Sequence, residues 1–163
     1  MRYPLLIRNK IFTLQDLQKQ ILRWQLFDKK LVFTNGCFDI LHQGHLEVLS
    51  QAATLGDILI VGVNSDRSVT ALKGPHRPVN NEAFRSLMLA SLTIVDVAII
   101  FDEDTPLELI KAIKPGVLVK GGDYKIDQIA GAREVLEYGG EVKLVPLING
   151  YSTTALINKI QRL

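Results

Sequence analysis

The histidines His42 and His45 stand three residues apart, with Gly44 between them, in a segment that reads TNGCFDILHQGH over residues 34–45. If a helix begins within this segment, both imidazole rings face one spot, beside the backbone N–H groups that a helix N-terminus leaves unpaired. Such N–H groups and the helix dipole favour an anion, and Gly36 lets the backbone approach a phosphate closely. The segment therefore predicts a site whose donors stabilise the charge that develops in a phosphoryl-type reaction.

The same histidines could also form other kinds of site. A structural pair beside a helix cap is one alternative. A shared metal ion is another, although no cysteine and no clear third ligand follow nearby, which disfavours zinc. A Rossmann dinucleotide site needs Gly-x-Gly-x-x-Gly after Thr34, and a P-loop needs Gly-Lys-Ser/Thr; the sequence has neither.

Short apolar runs rich in β-branched residues alternate with amphipathic stretches along the chain. They predict strands at 31–34, 58–63, 95–101, 117–120 and 141–145, and helices at 44–55, 82–92, 106–113, 130–138 and 153–160. Near-continuous apolar runs are typical of strands covered on both faces. The alternation predicts an α/β fold, a doubly wound parallel five-stranded sheet with helices on both sides. A capping box that begins at Thr13 predicts an extra N-terminal helix within residues 11–30.

Ligands in such sheets bind beyond the carboxyl ends of the strands, where the strand order reverses. Residues 34–45 directly follow the first predicted strand, so they lie in that position. The prolines at 75 and 78 exclude helix and predict a mobile loop over residues 73–80, which we expect to order over the phosphates of a bound nucleotide.

Composition excludes several classes of protein. The chain has 163 residues, 47% of them hydrophobic and 22% charged, so it can bury a core and is not a disordered scaffold. Its net charge of +2 is spread along the sequence, which indicates no nucleic-acid and no membrane partner. The single cysteine, Cys37, fits a reducing compartment. We expect one domain over residues 1–163 in the cytoplasm, with a homo-oligomer as one option for its assembly.

The pattern G-x-F-D-x-x-H-x-G-H at residues 36–45 resembles the HxGH signature of the cytidylyltransferase-like nucleotidyltransferases, a Rossmann-like fold. Further matching motifs are NSD (64–66), LKG (72–74), RPVN (77–80), Arg85, EDTP (103–106), VKGGDY (119–124), GGEV (139–142) and STT (152–154). Together they resemble the adenylyltransferase domain of ADP-heptose synthases, over about residues 11–162.

Two departures from related patterns bear on this resemblance. Bifunctional ADP-heptose synthases carry a sugar-kinase domain ahead of this one, whereas about thirty residues precede the first predicted strand here. We therefore expect a stand-alone adenylyltransferase without kinase activity. Many cytidylyltransferases have an arginine shortly before Ser-Thr-Thr, and residues 146–151 contain none. The alternatives are a cytidylyltransferase for glycerol 3-phosphate or a similar alcohol phosphate, and a non-catalytic nucleotide-binding module.

The resemblance implies transfer of AMP from ATP to a sugar 1-phosphate, here heptose 1-phosphate, with Mg²⁺ as cofactor and ligands for the metal unassigned. It makes His42, His45 and Lys73 the catalytic residues, which hold the triphosphate and stabilise the five-coordinate α-phosphorus. The nucleotide-binding residues that it implies are Asn35, Gly36, Cys37, Phe38, Gly44, Arg85, Lys120, Gly121, Asp123, Ser152, Thr153 and Thr154. Asp39 and Asp66 would bind the acceptor substrate, and Asp39 is also a candidate ligand for the metal.

Several of these residues have a plain structural alternative. Lys73 could be a solvated lysine at a helix end, and Arg85 an ordinary exposed helix arginine. Ser152 would serve as an N-cap in any case. Cys37 is better explained as a small side chain that fills space than as a nucleophile, because no step of the implied reaction needs one.

Overall fold

The computed structural model describes residues 5–146 and 152–162 of the chain. Its strands are β1 (Leu31–Gly36), β2 (Ile58–Asn64), β3 (Val97–Phe101), β4 (Val117–Gly121) and β5 (Glu141–Val145). They form one five-stranded sheet in the order β3-β2-β1-β4-β5, and all neighbouring strands are parallel. The chain extends from β1 to β3 on one side and then returns to place β4 on the other side of β1. The predicted doubly wound fold is confirmed, with its switch point between β1 and β4.

The helices occupy the connections between these strands. They are α1 (Leu5–Arg8), α2 (Leu14–Gln25), α3 (Gln43–Ala53), α4 (Asp66–Lys73), α5 (Glu82–Ala90), α6 (Leu107–Ile113), α7 (Ala132–Glu137) and α8 (Thr153–Ile160), with a 3₁₀ turn at Ile126–Gln128. Within residues 5–146 and 152–162, none of them has the length and apolar character that a membrane crossing requires.

The predicted N-terminal helix is present as α2. Thr13 caps it, because its Oγ1 accepts a hydrogen bond of 3.2 Å from the backbone N–H of Asp16. Leu17 and Ile21 lie one turn apart on its buried face. The preceding helix α1 was not predicted, because a single turn of four residues is too short to display helical periodicity.

Two apolar layers cover the sheet, one on each face. On one face α2 and α6 pack with residues such as Ile110 against Phe33 and Ile60. On the other face α3 and α5 pack with Leu49 and Leu89 among the side chains of β1 and β2. Burial on both faces explains the near-continuous apolar runs of the inner strands. The edge strand β5 differs, since most of its residues are exposed or half-buried.

Strand β3 begins two residues later than its apolar run predicts. The N–H of Val95 donates to the carbonyl of Leu92 in a turn, and the carboxylate of Asp96 accepts a 2.8 Å hydrogen bond from the N–H of Leu59. The Asp96 side chain thus pairs with the backbone of β2 where a regular strand would use its own carbonyl. The ladder with β2 starts at Val97.

Candidate active site

A cavity of about 350 Å³ opens beside the carboxyl ends of β1 and β4, at the switch point of the sheet. We call it the histidine lobe. The predicted site residues that line it are Asn35, Gly36, Cys37, Phe38, Asp39, His42, Gly44, His45, Lys73, Lys120, Gly121, Ser152, Thr153 and Thr154. Three predicted site residues, Asp66, Arg85 and Asp123, do not line this cavity. The fold therefore brings most of the predicted residues to one place.

The two histidines lie at the start of α3. His42 is the N-cap residue, in extended conformation, and its carbonyl accepts a 2.9 Å hydrogen bond from the N–H of His45. Their rings stack, with centroids 3.8 Å apart and planes inclined by 23°. The ring of Phe38 lies 5.2 Å from that of His45 on a tilted plane. The Nδ1 atoms of both histidines are buried without a hydrogen-bond partner among the described residues, as in a site completed by a ligand.

Burial makes both histidines neutral at physiological pH. Desolvation, together with a smaller contribution from the neighbouring His42, lowers the pKa of His45 to about 4. Burial also lowers the pKa of His42. A neutral imidazole still carries one N–H donor, so the pair can donate hydrogen bonds to a phosphate without the repulsion that two stacked cations would have. A bound polyphosphate would in turn favour protonation.

Two glycines are needed for close packing around the histidines. A Cβ at Gly36 would lie 3.1 Å from Cε2 of the Phe38 ring, and one at Gly121 would lie 2.5 Å from Cγ2 of Val48 on α3. Phe38 itself has a positive φ of 47°, which L residues seldom adopt. The loop after β1 therefore turns sharply to bring the Phe38 ring beneath His45.

Asp39 anchors the loop that follows α4. Its carboxylate, 1% exposed, accepts hydrogen bonds from Nε of Arg77 (2.6 Å) and from the N–H groups of Val79 (2.8 Å) and Asn80 (2.9 Å). Burial by itself raises the pKa of Asp39, but the N–H groups of Asn80 and Val79 and the Arg77 guanidinium outweigh it and hold the pKa below its usual range. The carboxylate is thus an anion paired with the protein. Substrate or metal contact by Asp39 stays a prediction.

Arg85 lies beneath the cavity rather than in its wall. Its side chain is 0% exposed, so the alternative of an exposed helix arginine is wrong. It donates from Nη1 to the carbonyl of Cys37 (2.5 Å), from Nε to that of Asn80 (2.9 Å), and from Nη2 to the carboxylate of Asp66 (2.8 Å). These contacts join the loop after β1, the loop after α4 and the start of α4. The phosphate contact of Arg85 stays a prediction.

The first residues of α8 complete the histidine lobe. Ser152 caps the helix, since its Oγ accepts a 3.0 Å hydrogen bond from the N–H of Ala155. Thr153 Oγ1 donates to the carbonyl of Ile40 at 3.4 Å, which ties α8 to the loop after β1. The N-termini of α3 and α8 thus both border this cavity, as anion binding at helix N-termini requires. Residues 147–151, where the sequence lacks the arginine of many cytidylyltransferases, lie outside the described residues.

A second cavity of about 340 Å³ adjoins the first. We call it the Asp104 lobe. The two cavities share a wall made by Asn35, Gly36, Cys37, Lys73, Lys120 and Tyr124. The residues that line only the Asp104 lobe are Asn64, Leu72, Asp104, Thr105, Pro106, Gln128, Ile129 and Ala130.

Lys120 occupies the shared wall. Its Nζ lies 3.4 Å from Oδ1 of Asn35 and 6.0 Å from the centre of the Tyr124 ring. Burial lowers the pKa of Lys120, and the charge of Lys73 lowers it as well, although Cys37 acts in the opposite direction. Two lysines therefore face the junction of the lobes, and phosphate groups bound there would relieve their mutual repulsion.

Several residues of this cleft were not among the predicted site residues. Arg77, Tyr124, Asp104, Thr105 and Gln128 line one lobe or both. Three of them could have been predicted from their positions in the sequence. Tyr124 follows β4, and Asp104 and Thr105 follow β3, at the edge of the sheet where ligands bind. Gln128 lies in a 3₁₀ turn that the sequence pattern did not reveal.

The described residues do not assemble a metal cage of their own. Within 5–146 and 152–162, no group of three or more His, Cys, Asp or Glu side chains is placed to hold a metal ion. Asp39, the candidate carboxylate in the histidine lobe, already has three protein donors. A metal centre held by protein ligands alone therefore does not fit these residues.

Stacked imidazoles beside two helix N-termini, at the switch point of a doubly wound sheet, form a site suited to binding phosphate groups. The comparisons with known proteins identify the class as nucleotidyltransferase. The sequence model of the family described as Cytidylyltransferase-like matches residues 33–159. The chain belongs to this family, and the predicted resemblance is confirmed.

Two curated proteins are similar to almost the whole of this chain. The Bifunctional protein HldE of Koribacter versatilis is 52% identical over 150 residues, which are 92% of this chain and 31% of that protein. The Bifunctional protein HldE of Caulobacter vibrioides is also 52% identical, over 151 residues, 93% of this chain and 31% of that protein. The chain thus spans about a third of the length of these curated relatives.

Solved structures share the fold. The lipopolysaccharide core biosynthesis protein from Thermoplasma volcanium has a TM-score of 0.61 and 31% identity, covering 76% of this chain and 99% of that one. Pantothenate synthetase from Thermus thermophilus, at 16% identity and a TM-score of 0.57, covers 85% of this chain and 62% of that one. At that identity the likeness concerns the fold alone.

Proposed function

We propose that the chain transfers AMP from ATP to the phosphate of a sugar 1-phosphate, heptose 1-phosphate, giving ADP-heptose and pyrophosphate for lipopolysaccharide core synthesis. One observation carries the proposal: a neutral, stacked histidine pair at a helix N-terminus borders a cleft whose two lobes meet at Lys73 and Lys120. The two lobes would each take one phosphorylated substrate, with the reacting phosphates at the shared wall. The similarity to about a third of two HldE proteins supports the heptose phosphate as acceptor.

The proposed reaction does not need a general base from the protein. An oxygen of the acceptor phosphate is already anionic, so it can attack the α-phosphorus of ATP directly. A new P–O bond forms to that oxygen, the bond from the α-phosphorus to the bridging oxygen of the β-phosphate breaks, and pyrophosphate leaves with the electron pair. Catalysis then rests on positioning and on stabilising negative charge.

The residues of the histidine lobe would supply that stabilisation. His42 and His45, both half-buried, would donate their N–H groups to phosphate oxygens around the α-phosphorus. The N-terminal amides of α3 and α8 would bind the remaining phosphate oxygens. Lys120 and Lys73 would act as positive charges at the junction, where the acceptor phosphate meets the nucleotide.

Mg²⁺ would arrive bound to the triphosphate rather than to a prepared protein site. This cation keeps several waters and is commonly held by substrate phosphates with few protein ligands, and it would offset part of the triphosphate charge. We further propose one domain acting in the cytoplasm on small phosphorylated substrates, without nucleic acid.

The test measures pyrophosphate release with ATP or CTP, each combined with heptose 1-phosphate, hexose 1-phosphates and glycerol 3-phosphate, with and without Mg²⁺. We expect the fastest release with ATP, heptose 1-phosphate and the metal together. Faster turnover with CTP and glycerol 3-phosphate would contradict the proposal. If the protein binds ATP but no acceptor leads to release of pyrophosphate, it is a binding module instead.

A further inference from the structure

We propose that the Asp104 lobe holds the sugar ring of the acceptor, and that Asp104 and Thr105 determine which sugar is accepted by hydrogen bonding to its hydroxyl groups. The inference rests on the proposed function, since it takes a nucleotide and a sugar phosphate as the two occupants of the cleft. It assigns to these two residues a role that the family motif at residues 36–45 does not supply.

The charges of the two lobes differ. The histidine lobe is bordered by two helix N-termini and the imidazole pair, all of which are donors toward anions. The part of the Asp104 lobe beyond the shared wall contains a carboxylate and no basic side chain. A carboxylate repels a triphosphate but accepts hydrogen bonds from hydroxyl groups. The polyphosphate therefore belongs in the histidine lobe and a neutral polyhydroxylated group in the Asp104 lobe.

The lining of the Asp104 lobe also matches a sugar. Asp104 contributes a carboxylate and Thr105 a hydroxyl group to the lobe. Apolar side chains such as Leu72, Pro106 and Ile129 form other parts of its wall. A sugar ring presents hydroxyl groups at its edge and C–H groups on its faces. A mostly apolar wall with a few placed polar groups is the usual way in which a protein orients such a ligand.

Among the acidic residues of the loop after β3, only Asp104 is left for a ligand. Asp102 accepts from Ser65 and pairs with Arg67 at 2.9 Å, and Glu103 accepts a 3.1 Å hydrogen bond from the N–H of Asp102. Neither of these two lines the lobe. Among the described residues, Asp104 has neither an ion pair nor a hydrogen bond to its side chain, and it does line the lobe.

The other polar residues of the lobe are already engaged. Asn64, 4% exposed, donates from Nδ2 to Oγ of Ser68 at 2.9 Å. Gln128 accepts a 3.2 Å hydrogen bond from the N–H of Lys125 through Oε1. These bonds fix the wall, whereas the Thr105 hydroxyl, like the Asp104 carboxylate, makes no hydrogen bond within the described residues. Beyond the shared wall, Asp104 and Thr105 are thus the two polar residues of this lobe whose side chains make no hydrogen bond within the described residues.

The shared wall gives the acceptor its orientation. The phosphate of a sugar 1-phosphate must reach the α-phosphorus in the histidine lobe, so it lies at the wall beside Lys73 and Lys120. The ring attached to that phosphate then extends away from the histidines, into the Asp104 lobe. Hydroxyl groups on the far side of the ring come within reach of Asp104 and Thr105.

The experiment compares Asp104→Asn with the control variant Glu103→Gln. The control also removes one negative charge, but from a neighbouring residue that does not line the lobe. We expect Asp104→Asn to raise the KM for the sugar 1-phosphate by about tenfold or more, as loss of a hydrogen bond to a charged group does, with the KM for ATP unchanged. Thr105→Val should raise the same KM by about threefold. Glu103→Gln should leave both constants as in the wild type.

Specificity provides a second readout. Sugar 1-phosphates that differ in the presence or configuration of one hydroxyl are compared by kcat/KM. The wild type should discriminate between at least one such pair, and Asp104→Asn should lose most of that discrimination. A merely structural role for Asp104 would weaken all acceptors equally. Unchanged discrimination in both lobe variants would overturn the assignment.

Failure of this inference differs from failure of the proposed function. An increase in the KM for ATP, with the acceptor KM unchanged, would mean that the Asp104 lobe holds the nucleotide, while the reaction itself stands. If another sugar phosphate replaces heptose 1-phosphate as substrate, the same variants are measured with that acceptor. If no acceptor reacts, equilibrium dialysis of heptose 1-phosphate in the presence of a non-hydrolysable ATP analogue decides: equal binding by wild type and Asp104→Asn overturns the inference.

Discussion

His45 combines enclosure, neutrality and a position in the first turn of α3. Its ring is stacked on His42 and lies beside Phe38, so its N–H is held in place before a substrate arrives. Replacing it by alanine removes one preorganised donor to the transition state, and we expect kcat to fall by about 10²-fold or more. Steady-state kinetics with a circular dichroism check of the fold measures this. As a control, His76→Ala changes an exposed loop residue that lines neither lobe and should retain full activity. If His45→Ala were as active as the wild type, the two histidines would have a structural role only.

Asp39 is a positioning residue by its contacts. Its 0% exposed side chain pairs with Arg77, of which 14% is exposed, and it receives two backbone N–H groups. Asp39→Asn leaves the Arg77 guanidinium beside a neutral amide and breaks a buried pair, which costs about 3 kcal/mol in the free energy of unfolding. Denaturant titration measures it. Glu137→Gln, which breaks the exposed pair with Arg133, should change stability little, and an equally stable Asp39→Asn would contradict the anchoring role.

At the scale of elements, the loop after α4 is held at both ends. Arg77, Val79 and Asn80 are bonded to Asp39, and the carbonyl of Arg77 accepts a hydrogen bond from Thr70. At the other end, Gly74 is bonded to Thr70 and Arg77 through its backbone, so the exposed side chain of Lys73, at the end of α4, is what can reach toward a nucleotide. We expect trypsin to cleave after Lys73 rapidly in the free protein and slowly with ATP and Mg²⁺, because Lys73 would then be engaged by phosphate.

The control for that experiment is cleavage after Lys19, an exposed residue of α2, because no residue of α2 lines either lobe. The rate of cleavage there should depend on nucleotide much less than the rate after Lys73. Equal protection at both positions would indicate general stabilisation by ligand. Equal cleavage after Lys73 with and without nucleotide would remove its role over the phosphates.

The periodicity of apolar residues predicted the strands and most of the helices, because buried positions recur at regular intervals along each of them. The inner strands and α2 display apolar patterns that depend on nearby residues alone, and the histidine segment could be placed because it directly follows β1. The bonds of Asp39 and Arg85 could not be predicted, since their partners lie up to 48 residues away. A charged residue in an apolar helix face indicated that Arg85 needs a partner, but not whether that partner is a phosphate or a carbonyl.

In the molecule as a whole, the half-buried histidines link the site to the pH dependence of stability. An unfolded histidine titrates near 6.5, whereas burial lowers the pKa of His45 to about 4 in the folded protein. Between these values the unfolded state binds more protons, so stability is full above pH 6.5 and falls as the pH decreases toward 4. His42 contributes in the same direction, because burial lowers its pKa as well. The contribution of His45 alone is on the order of 3 kcal/mol.

Asp39 acts in a different window. Its pKa in the folded protein lies below the ordinary value of 3.8, so the stability that it contributes is present above that value and is lost only at lower pH. Unfolding by urea at pH 7 and at pH 4.5 therefore spans the window of the histidines with little change from Asp39, and comparison with a variant isolates His45. His45→Asn should lose about 2 kcal/mol less than the wild type between these two pH values, whereas His76→Asn, the matched exposed change, should follow the wild type. If His45→Asn lost as much stability as the wild type, the pKa of His45 would be the same in the folded and unfolded protein, and burial would not be what keeps its ring neutral.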